Sequence, residues 1–552
     1  MNNYTIGIDY GTNSVRSIIV DCSNGKIVGS NVFNYSFGES GVIFNDDPNI
    51  ARQHPSDYIT GLKKTICGAL EESKIDVNSI KGIGIDATAS TPIPLDNEGK
   101  PLAFNPLFSE NLSALAWLWK DHTSIKEADE ITELARNLRP QYLAACGGKY
   151  SSEWYWSKVL HCLRNERDVF DAADSWMELQ DWIPFLLTGN RTSGLCAAGH
   201  KGLYSPQWGG YPDDEFLEKL DKQLIRVRSK LPGIAKNIGE CAGRLNAHWA
   251  SELNLPEDIP VAVGTIDAHA GAVGSGISPG VMVKILGTST CDIAITPLVD
   301  NLLEIPEIPG ICGIAHESVL PGHYGLEAGQ SAVGDIFNWY VKKIQPGEKL
   351  DLEKLNVLAE EVKPGSSGLL ALDWNNGNRS VLTDPLLTGL LIGTTLRTKP
   401  EEIFKALIEA TAFGAKIIIE RYKEYGISIE RVINCGGIAV KSPLTMQVYA
   451  DILGCIMEVS NNEQSCALGA AMAGSVVGGV HKDFEIARLK MTGVNEKVYK
   501  PVKENQMIYD QLFKLYKQIH DGFGLEKNNK NMYNVMKDLL KIKDYVHNGD
   551  QI

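Results

Sequence analysis

Three common signatures are missing from this 552-residue sequence. Its 11 cysteines include no Cys-x-x-Cys pair. Odd-numbered, scattered thiols are the usage of a reducing compartment and suggest neither a disulfide framework nor a zinc site. Cys22, Cys291 and Cys435 lie in or beside apolar strands, where inert buried thiols are expected. Basic charge is not in surplus either. A net charge of −15 argues against a general nucleic-acid binder, which needs a basic face to neutralise phosphates. Long apolar runs are also lacking. The longest uncharged stretch on the C-terminal side, Gln464 to Val480, is rich in Gly and Ala, opens with polar residues and is marginal in length, so no bilayer span is expected. The N-terminus enters a strand without a basic n-region or an apolar h-region, so no signal peptide and a cytoplasmic location are expected.

Two nucleotide motifs are absent as well. No Gly-x-x-x-x-Gly-Lys-Ser/Thr occurs, and no Gly-x-Gly-x-x-Gly follows a strand in the dinucleotide-binding manner. If a nucleotide binds, its phosphates need another cradle.

What is present is ordinary for a globular chain, with 43% apolar and 22% charged residues. The length exceeds one core, so two large domains are expected. Strands and helices alternate, which gives an α/β class. Strands are expected over 4–21 and 26–36, broken at Asn24-Gly25, over 80–87, 259–267, 281–294 and 430–436. Helices are expected over 56–74 with Ser56 as N-cap, over 109–137, 151–174 and 328–344, then over 400–426, 443–454 and 465–478. Beyond residue 500 a Lys/Asn-rich tail with helical periodicity reads as a peripheral appendage.

An internal echo carries the functional argument. Ile6-Gly7-Ile8-Asp9-Tyr10-Gly11-Thr12-Asn13-Ser14 sets an acid and a Gly-Thr turn between two strands. Gly287-Thr288-Ser289-Thr290 repeats the turn at the start of the second half. One such hairpin is ordinary. Two in corresponding positions suit a ligand held across a cleft, because turn N–H groups and hydroxyls form small anion-binding concavities and Gly admits a phosphate to the backbone. Asn434-Cys435-Gly436-Gly437 ends a strand and would let a flat ligand lie on bare backbone. Asp267, at the end of a strand and before a Gly-rich stretch, is placed either to accept a proton from a substrate hydroxyl or to cap the following helix. His269 beside it has no second ligand at helical spacing and reads as structural. Polar groups in apolar surroundings, in Trp119-Lys120-Asp121-His122, Gly199-His200-Lys201-Gly202 and Leu326-Glu327-Ala328-Gly329-Gln330, are candidates to contact a polyhydroxylated ligand.

Together these segments resemble the FGGY family of carbohydrate kinases from about residue 4 to about residue 482. The stretch from Gly389 to Glu409 is close to that family's C-terminal signature and departs from it at Thr394 and Leu407. Arg52-Gln53-His54-Pro55-x-Asp57-Tyr58, Leu118 to Thr123, Gly148 to Trp154, Ala197 to Lys201 and Gly325 to Ser331 are similar to the ribulose-phosphorylating members. The resemblance implies two actin-like (ribonuclease H-like) domains flanking a catalytic cleft. The first, 1–278, would bind sugar; the second, 279–490, would bind nucleotide; 491–552 would be a helical appendage. It implies ATP-dependent phosphorylation of the 5-hydroxyl of L-ribulose in arabinose catabolism, with Mg²⁺. D-ribulose, a xylulose, ribitol or, in another class, a non-catalytic actin-like nucleotide switch are the alternatives. Carried over by motif, Asp267 is the general base, and Ala89, Lys201 and Glu327 are sugar contacts. Gly11, Thr12 and Asn13 form the first phosphate hairpin and Gly287 with Thr288 the second. Gly334 and Asn338 fall where the family contacts nucleotide, and Gly436 and Gly437 at the adenosine site. Where the family usually has Asn in the following loop, this chain has Ser442, whose shorter side chain is expected to weaken an adenine contact. Asp9 would hold the metal through water. Neither nucleic acid nor membrane is an expected partner, and a homodimer is left open.

Overall fold

The computed structural model describes residues 2–298, 307–345, 350–526 and 532–533. The first half is built on a seven-stranded mixed sheet. Strands Ile27–Asn34, Ser14–Asp21 and Tyr4–Tyr10 run antiparallel, and Ile80–Ala87 then pairs parallel to Tyr4–Tyr10. Pro260–Ala262 and Cys241–Arg244 complete one edge, and Thr265–Ile266 pairs with Ile80–Ala87. The central strands are apolar nearly throughout because helices cover both faces. The register sets Asp9 opposite Asp86 and Asp86 opposite Thr265.

The second half repeats the plan. Gly313–His316, His323–Ala328, Thr290–Pro297 and Val281–Leu286 are antiparallel, and Arg431–Cys435 and Ile456–Val459 follow in parallel. The echo read from two Gly-Thr turns is therefore an echo of whole sheets, and the α/β expectation with two halves facing a cleft is met.

Two helices of small residues join the halves. Ser465–Val477 lies on the first sheet although it comes from the second half. A Cβ on Gly7 would stand 1.9 Å from the Ala467 carbonyl oxygen, and one on Gly84 1.7 Å from that of Ala470. Asp267–Gly274 packs against the same helix, where a Cβ on Gly469 would meet the Ala270 oxygen at 1.9 Å. The stretch considered for a membrane span is thus an interdomain helix. Among the described residues no helix is long and apolar enough to cross a membrane.

Other expectations change in detail. The first long helix, Pro55–Ser73, is capped by His54, whose Nδ1 accepts from the Ser56 N–H, and not by Ser56. The helix expected over 109–137 begins only at Ile125. Asn111 caps a single 3₁₀ turn, Leu112–Ala114, and Ala116–Trp117 then pairs with Arg52–Gln53. The 151–174 stretch divides at Glu166 into Tyr155–Asn165 and Arg167–Ala172. Cys22 and Cys435 are buried as expected, whereas Cys291 is half-buried. Lys503–Gly524, expected at the periphery, sends Tyr509, Phe513 and Tyr516 into the second core against Phe413; 527–531 and 534–552 lie outside the described residues.

Candidate active site

The first hairpin closes tightly, with the Gly11 N–H on the Ser14 carbonyl at 3.0 Å. Its tip is tied from outside. Gln53 Nε2 donates to the Thr12 carbonyl at 2.7 Å, Trp119 Nε1 to Thr12 Oγ1 at 3.0 Å, and Asn13 Nδ2 to the Ser40 carbonyl at 2.6 Å. Arg52 and Asp121 form a fully buried ion pair below, with the guanidinium 3.6 Å from the centre of the Trp117 ring. The Arg52–Tyr58 and Leu118–Thr123 motifs thus scaffold the hairpin. Asp121, counted among candidate sugar contacts, is committed to Arg52 and the Ala51 N–H.

The second hairpin has an exposed tip and a helix docked behind it. The Val333 and Asp335 N–H groups donate to the Thr288 carbonyl at 2.7 and 3.2 Å, and Gly334 to the Gly287 carbonyl at 3.1 Å. A Cβ on Gly334 would come within 2.6 Å of that Gly287 oxygen. Gly436 needs to be glycine twice over, with φ 95° and the Leu286 oxygen 2.4 Å from where a Cβ would stand, while Gly437 has open space. Gly287, Gly334 and Gly436 therefore meet at the end of the second sheet, and Asn338 stays exposed on Gly334–Trp339. Ser442 is otherwise employed. Its Oγ caps the helix Pro443–Leu453 at Thr445 and donates to Asn356 Oδ1 at 2.8 Å.

Asp267 is the first residue of Asp267–Gly274 and remains partly open. The capping reading is not met: Ile266 takes the N-cap position and no side chain caps the helix, so Asp267 is an acid in the first turn. Its Oδ1 accepts the Ala268 N–H at 2.6 Å. Burial and then the neighbouring Asp9 push its carboxyl up to about 7. Asp9 is itself raised by burial and pulled back by Arg16, 3.5 Å away. Sequence reasoning missed the third acid. Asp86 is fully buried, both its oxygens lack a hydrogen-bond partner, and burial with Asp9 and Asp267 nearby raises its pKa strongly. The available signal was an acid inside the apolar run Ile80–Ala87, where burial is costly without a partner.

The sugar-facing candidates come from both halves. Ala89 packs on Cys196, Ala197 and Ile266. Its loop is held by Glu178, which accepts the Thr91 N–H at 2.7 Å, and by Lys158, which donates to the Ser90 carbonyl at 2.8 Å. Lys201 ends the helix Leu195–Lys201 in the first half, and Tyr150 Oη donates to its carbonyl at 2.6 Å. Glu327, from strand His323–Ala328 of the second half, accepts from Lys201 Nζ at 3.1 Å and from Arg379 Nη2 at 2.5 Å. Sugar binding was expected of 1–278 alone; Glu327 brings a candidate contact from the second half against Lys201 of the first. Burial alone would raise Glu327, but Lys201 and Arg379 together hold it well below the usual carboxylate range. His200 Nδ1 and His269 Nε2 each lie 3.8 Å from its Oε2. The three ligand atoms are within 4.8 Å of one another, yet two cations already neutralise the carboxylate, which disfavours a divalent ion there.

This arrangement matches known proteins along its length. Residues 4–274 match the N-terminal domain, and 282–477 the C-terminal domain, of the FGGY family of carbohydrate kinases. The chain is 40% identical to a ribulokinase of Shouchella clausii over 100% of its own length and 99% of that protein, and 39% identical to one of Halalkalibacterium halodurans over 99% and 98%. Among solved structures, a xylulose kinase of Lactobacillus acidophilus is similar in fold, with TM-score 0.78, 20% identity and coverage of 95% of this chain and 99% of that one. A Plasmodium falciparum glycerol kinase with ADP gives TM-score 0.77, 18% identity and coverage of 95% and 98%.

Proposed function

The chain belongs to the FGGY family of carbohydrate kinases, and from that premise we propose that it transfers the γ-phosphoryl group of ATP to the 5-hydroxyl of L-ribulose. The substrate rests on full-length similarity at 39–40% identity to proteins named ribulokinase. The chemistry rests on one observation: a partly open carboxyl with a pKa pushed up to about 7 starts a helix that touches both repeated sheets. A base of that strength is suited to accept a hydroxyl proton near neutral pH.

In this reading the sugar lies between Asp267 and the Lys201–Glu327 pair, with Ala89 as an apolar wall. Asp267 takes the proton as O5 attacks the γ-phosphorus and ADP leaves. Lys201 and Glu327 orient the other hydroxyls. The backbone of Gly11, Thr12 and Asn13 and that of Gly287 and Thr288 hold the phosphates, since phosphoryl transfer asks mainly for positioning and charge stabilisation. Gly436 and Gly437 receive the adenosine on bare backbone, with Gly334 supporting the hairpin and Asn338 at the rim. Ser442 acts as a helix cap. Asp9 is the residue that would hold Mg²⁺ through water. The buried acid Asp86 behind it has its pKa raised by burial and by Asp9, and Arg16 is the near countercharge of Asp9; a crowded pair of acids that a cation would relieve fits a cation-seeking site. When bound, the ion would offset charge on the phosphates. Closure of the cleft would exclude water and spare ATP from hydrolysis.

An ADP-release screen over pentuloses and pentitols tests the reading. L-ribulose should give the highest kcat/KM; higher values for a xylulose or for ribitol would reassign the substrate, and no sugar-dependent ADP release would overturn the kinase.

A further inference from the structure

The proposed chemistry uses Asp267, Lys201 and Glu327 and leaves Arg379 and His269 without a task. Both sit on the same carboxylate. Arg379 Nη2 donates to Glu327 Oε1, while 35% of its side chain stays exposed, against 6% for Lys201 and 5% for Glu327. The guanidinium carries five donors in a fixed fork, so the bond to Glu327 leaves donors facing the open side. His269 is the opposite case. It is only 1% exposed, and neither ring nitrogen has a hydrogen-bond partner. Buried polar atoms are nearly always paired. Burial drives the His269 pKa down to about 4, so the neutral ring offers one donor and one acceptor, the complement of a hydroxyl group.

Resting on the ketose-kinase reading above, we propose that Arg379 and His269 are specificity-determining contacts for the carbonyl end of an open-chain 2-ketopentose. Arg379 donates to the C2 oxygen, and His269 pairs with a neighbouring hydroxyl. With O5 at Asp267, C2 lies three carbons away along the chain, toward the cation pair around Glu327. A carbonyl oxygen only accepts, and Arg379 and Lys201 only donate, so the match is complete. The pentitol places a hydroxyl at C2 instead. Its oxygen can still accept from Arg379, but its hydrogen must compete for Glu327, whose oxygens are already engaged by Lys201 and Arg379, and a poorly paired hydroxyl there costs a factor of about 10 to 100 in transition-state binding.

The test compares L-ribulose with ribitol, its C2 reduction product, as acceptors in ADP-release kinetics for the wild type, Arg379→Lys, Arg379→Met and His269→Gln. Arg379→Lys keeps a cation on Glu327 and removes the fork. The expected result is a loss of about 10- to 100-fold in kcat/KM for L-ribulose, carried mainly by KM, with little change for ribitol, so that the ketose-to-pentitol ratio falls toward one. Arg379→Met should reproduce that fall, and His269→Gln should raise KM for both sugars with kcat nearly kept. Equal losses on both sugars in the Arg379 variants would show that Arg379 only props Glu327, and the carbonyl assignment would fall. Zn²⁺ binding by the wild type in calorimetry, abolished in His269→Gln, would make His269 a metal ligand and overturn its pairing with sugar. If the wild type turns over no ketopentose, the kinase reading fails first and takes this assignment with it; an unchanged ratio in an enzyme that does phosphorylate L-ribulose sinks the carbonyl contact alone. Thermal melts of each variant separate these outcomes from misfolding.

Discussion

Replacing Asp267 with Asn removes a charge and little else, because the Asn Oδ1 still accepts the Ala268 N–H that lies 2.6 Å from the native carboxylate. Two opposite effects follow. The carboxyl is pushed up to about 7 from its ordinary 3.8, so the folded protein works against roughly three pK units to hold it ionised, about 4 kcal/mol at about 1.4 kcal/mol per unit. The sign is that of a raised acid. Its contribution favours the fold below the unfolded pKa of 3.8 and is lost as the pH climbs through about 7. The variant, which never ionises there, therefore gains little near pH 4, about 1.5–2 kcal/mol at pH 5 and nearly the full amount at pH 8. Unfolding entropies of about 2 cal/mol/K per residue convert this, for a chain of this length, to about 1 °C per kcal/mol. Asp267→Asn should thus melt about 4 °C above the wild type at pH 8 and under about 2 °C above it at pH 5.

Turnover should move the other way, falling by about 10²- to 10⁴-fold with the general base gone, and the native kcat/KM should rise with pH through about 7 as the carboxyl ionises. The assays are thermal melts in matched buffers at the two pH values and initial rates of ADP release with L-ribulose. Turnover within tenfold of wild type would refute Asp267 as the base. An equal melting shift at both pH values would refute the strained carboxylate, since only an ionising group makes the gain depend on pH.

Lys201→Ala removes the first half's cation from Glu327 but leaves Arg379 on it; sugar KM should rise about 10- to 100-fold, and a change confined to ATP KM would misplace Lys201. Gly436→Ala should fail to fold stably, because φ 95° and the Leu286 oxygen 2.4 Å from the new Cβ leave no room. Gly437→Ala meets nothing within 4 Å, so it should melt like the wild type and raise ATP KM; an unchanged ATP KM would remove Gly437 from the adenosine site. Tyr516→Phe deletes the donor to Asp373 Oδ1 at 3.0 Å, whose other oxygen accepts from Gln330 at 2.7 Å. A loss of about 1–3 kcal/mol is expected for weakening that buried network, and a melt within 0.5 °C of wild type would contradict it.

What the sequence reveals here is what is local. A Gly-Thr turn between two apolar strands is written in consecutive residues, so both hairpins and Asp267 at a strand's end are legible. What it hides is who meets whom across the chain. Arg379 stands in no recognised motif, and only the fold brings it to Glu327, 52 residues earlier. The acid in Ile80–Ala87 is visible, but its alignment with Asp9 depends on a parallel register that no local pattern sets. Motif residues also mislead. Asp121 and Arg52 look as functional as Lys201, yet they neutralise one another under the first hairpin. The final helix misleads in the other direction. Its Lys/Asn content suggests a solvated tail, while Tyr509, Phe513, Tyr516 and His520 recur at helical spacing and are buried.

The two ends of the interface between the halves differ in the kind of contact they make. At the seam, Gly7, Gly82 and Gly84 hold the backbone of Ser465–Val477 so near that a single Cβ would overlap its carbonyls at 1.7–2.0 Å. Contacts of that kind have no side chains to extend or rotate, so they resist sliding. At the other end the halves are joined by Lys201 on Glu327 and by His200 Nε2 on Ser318 Oγ at 2.9 Å. A lysine stem has several rotatable bonds and keeps its charge pair over a range of separations. If Glu327 contacts the sugar as proposed, it would both sense the sugar and bind the first half, and a ligand adding hydrogen bonds there would favour the arrangement with which it makes more contacts. On that account sugar binding should tighten the protein before any nucleotide arrives, and it should do so through Lys201 and Glu327, with the glycine seam left unchanged.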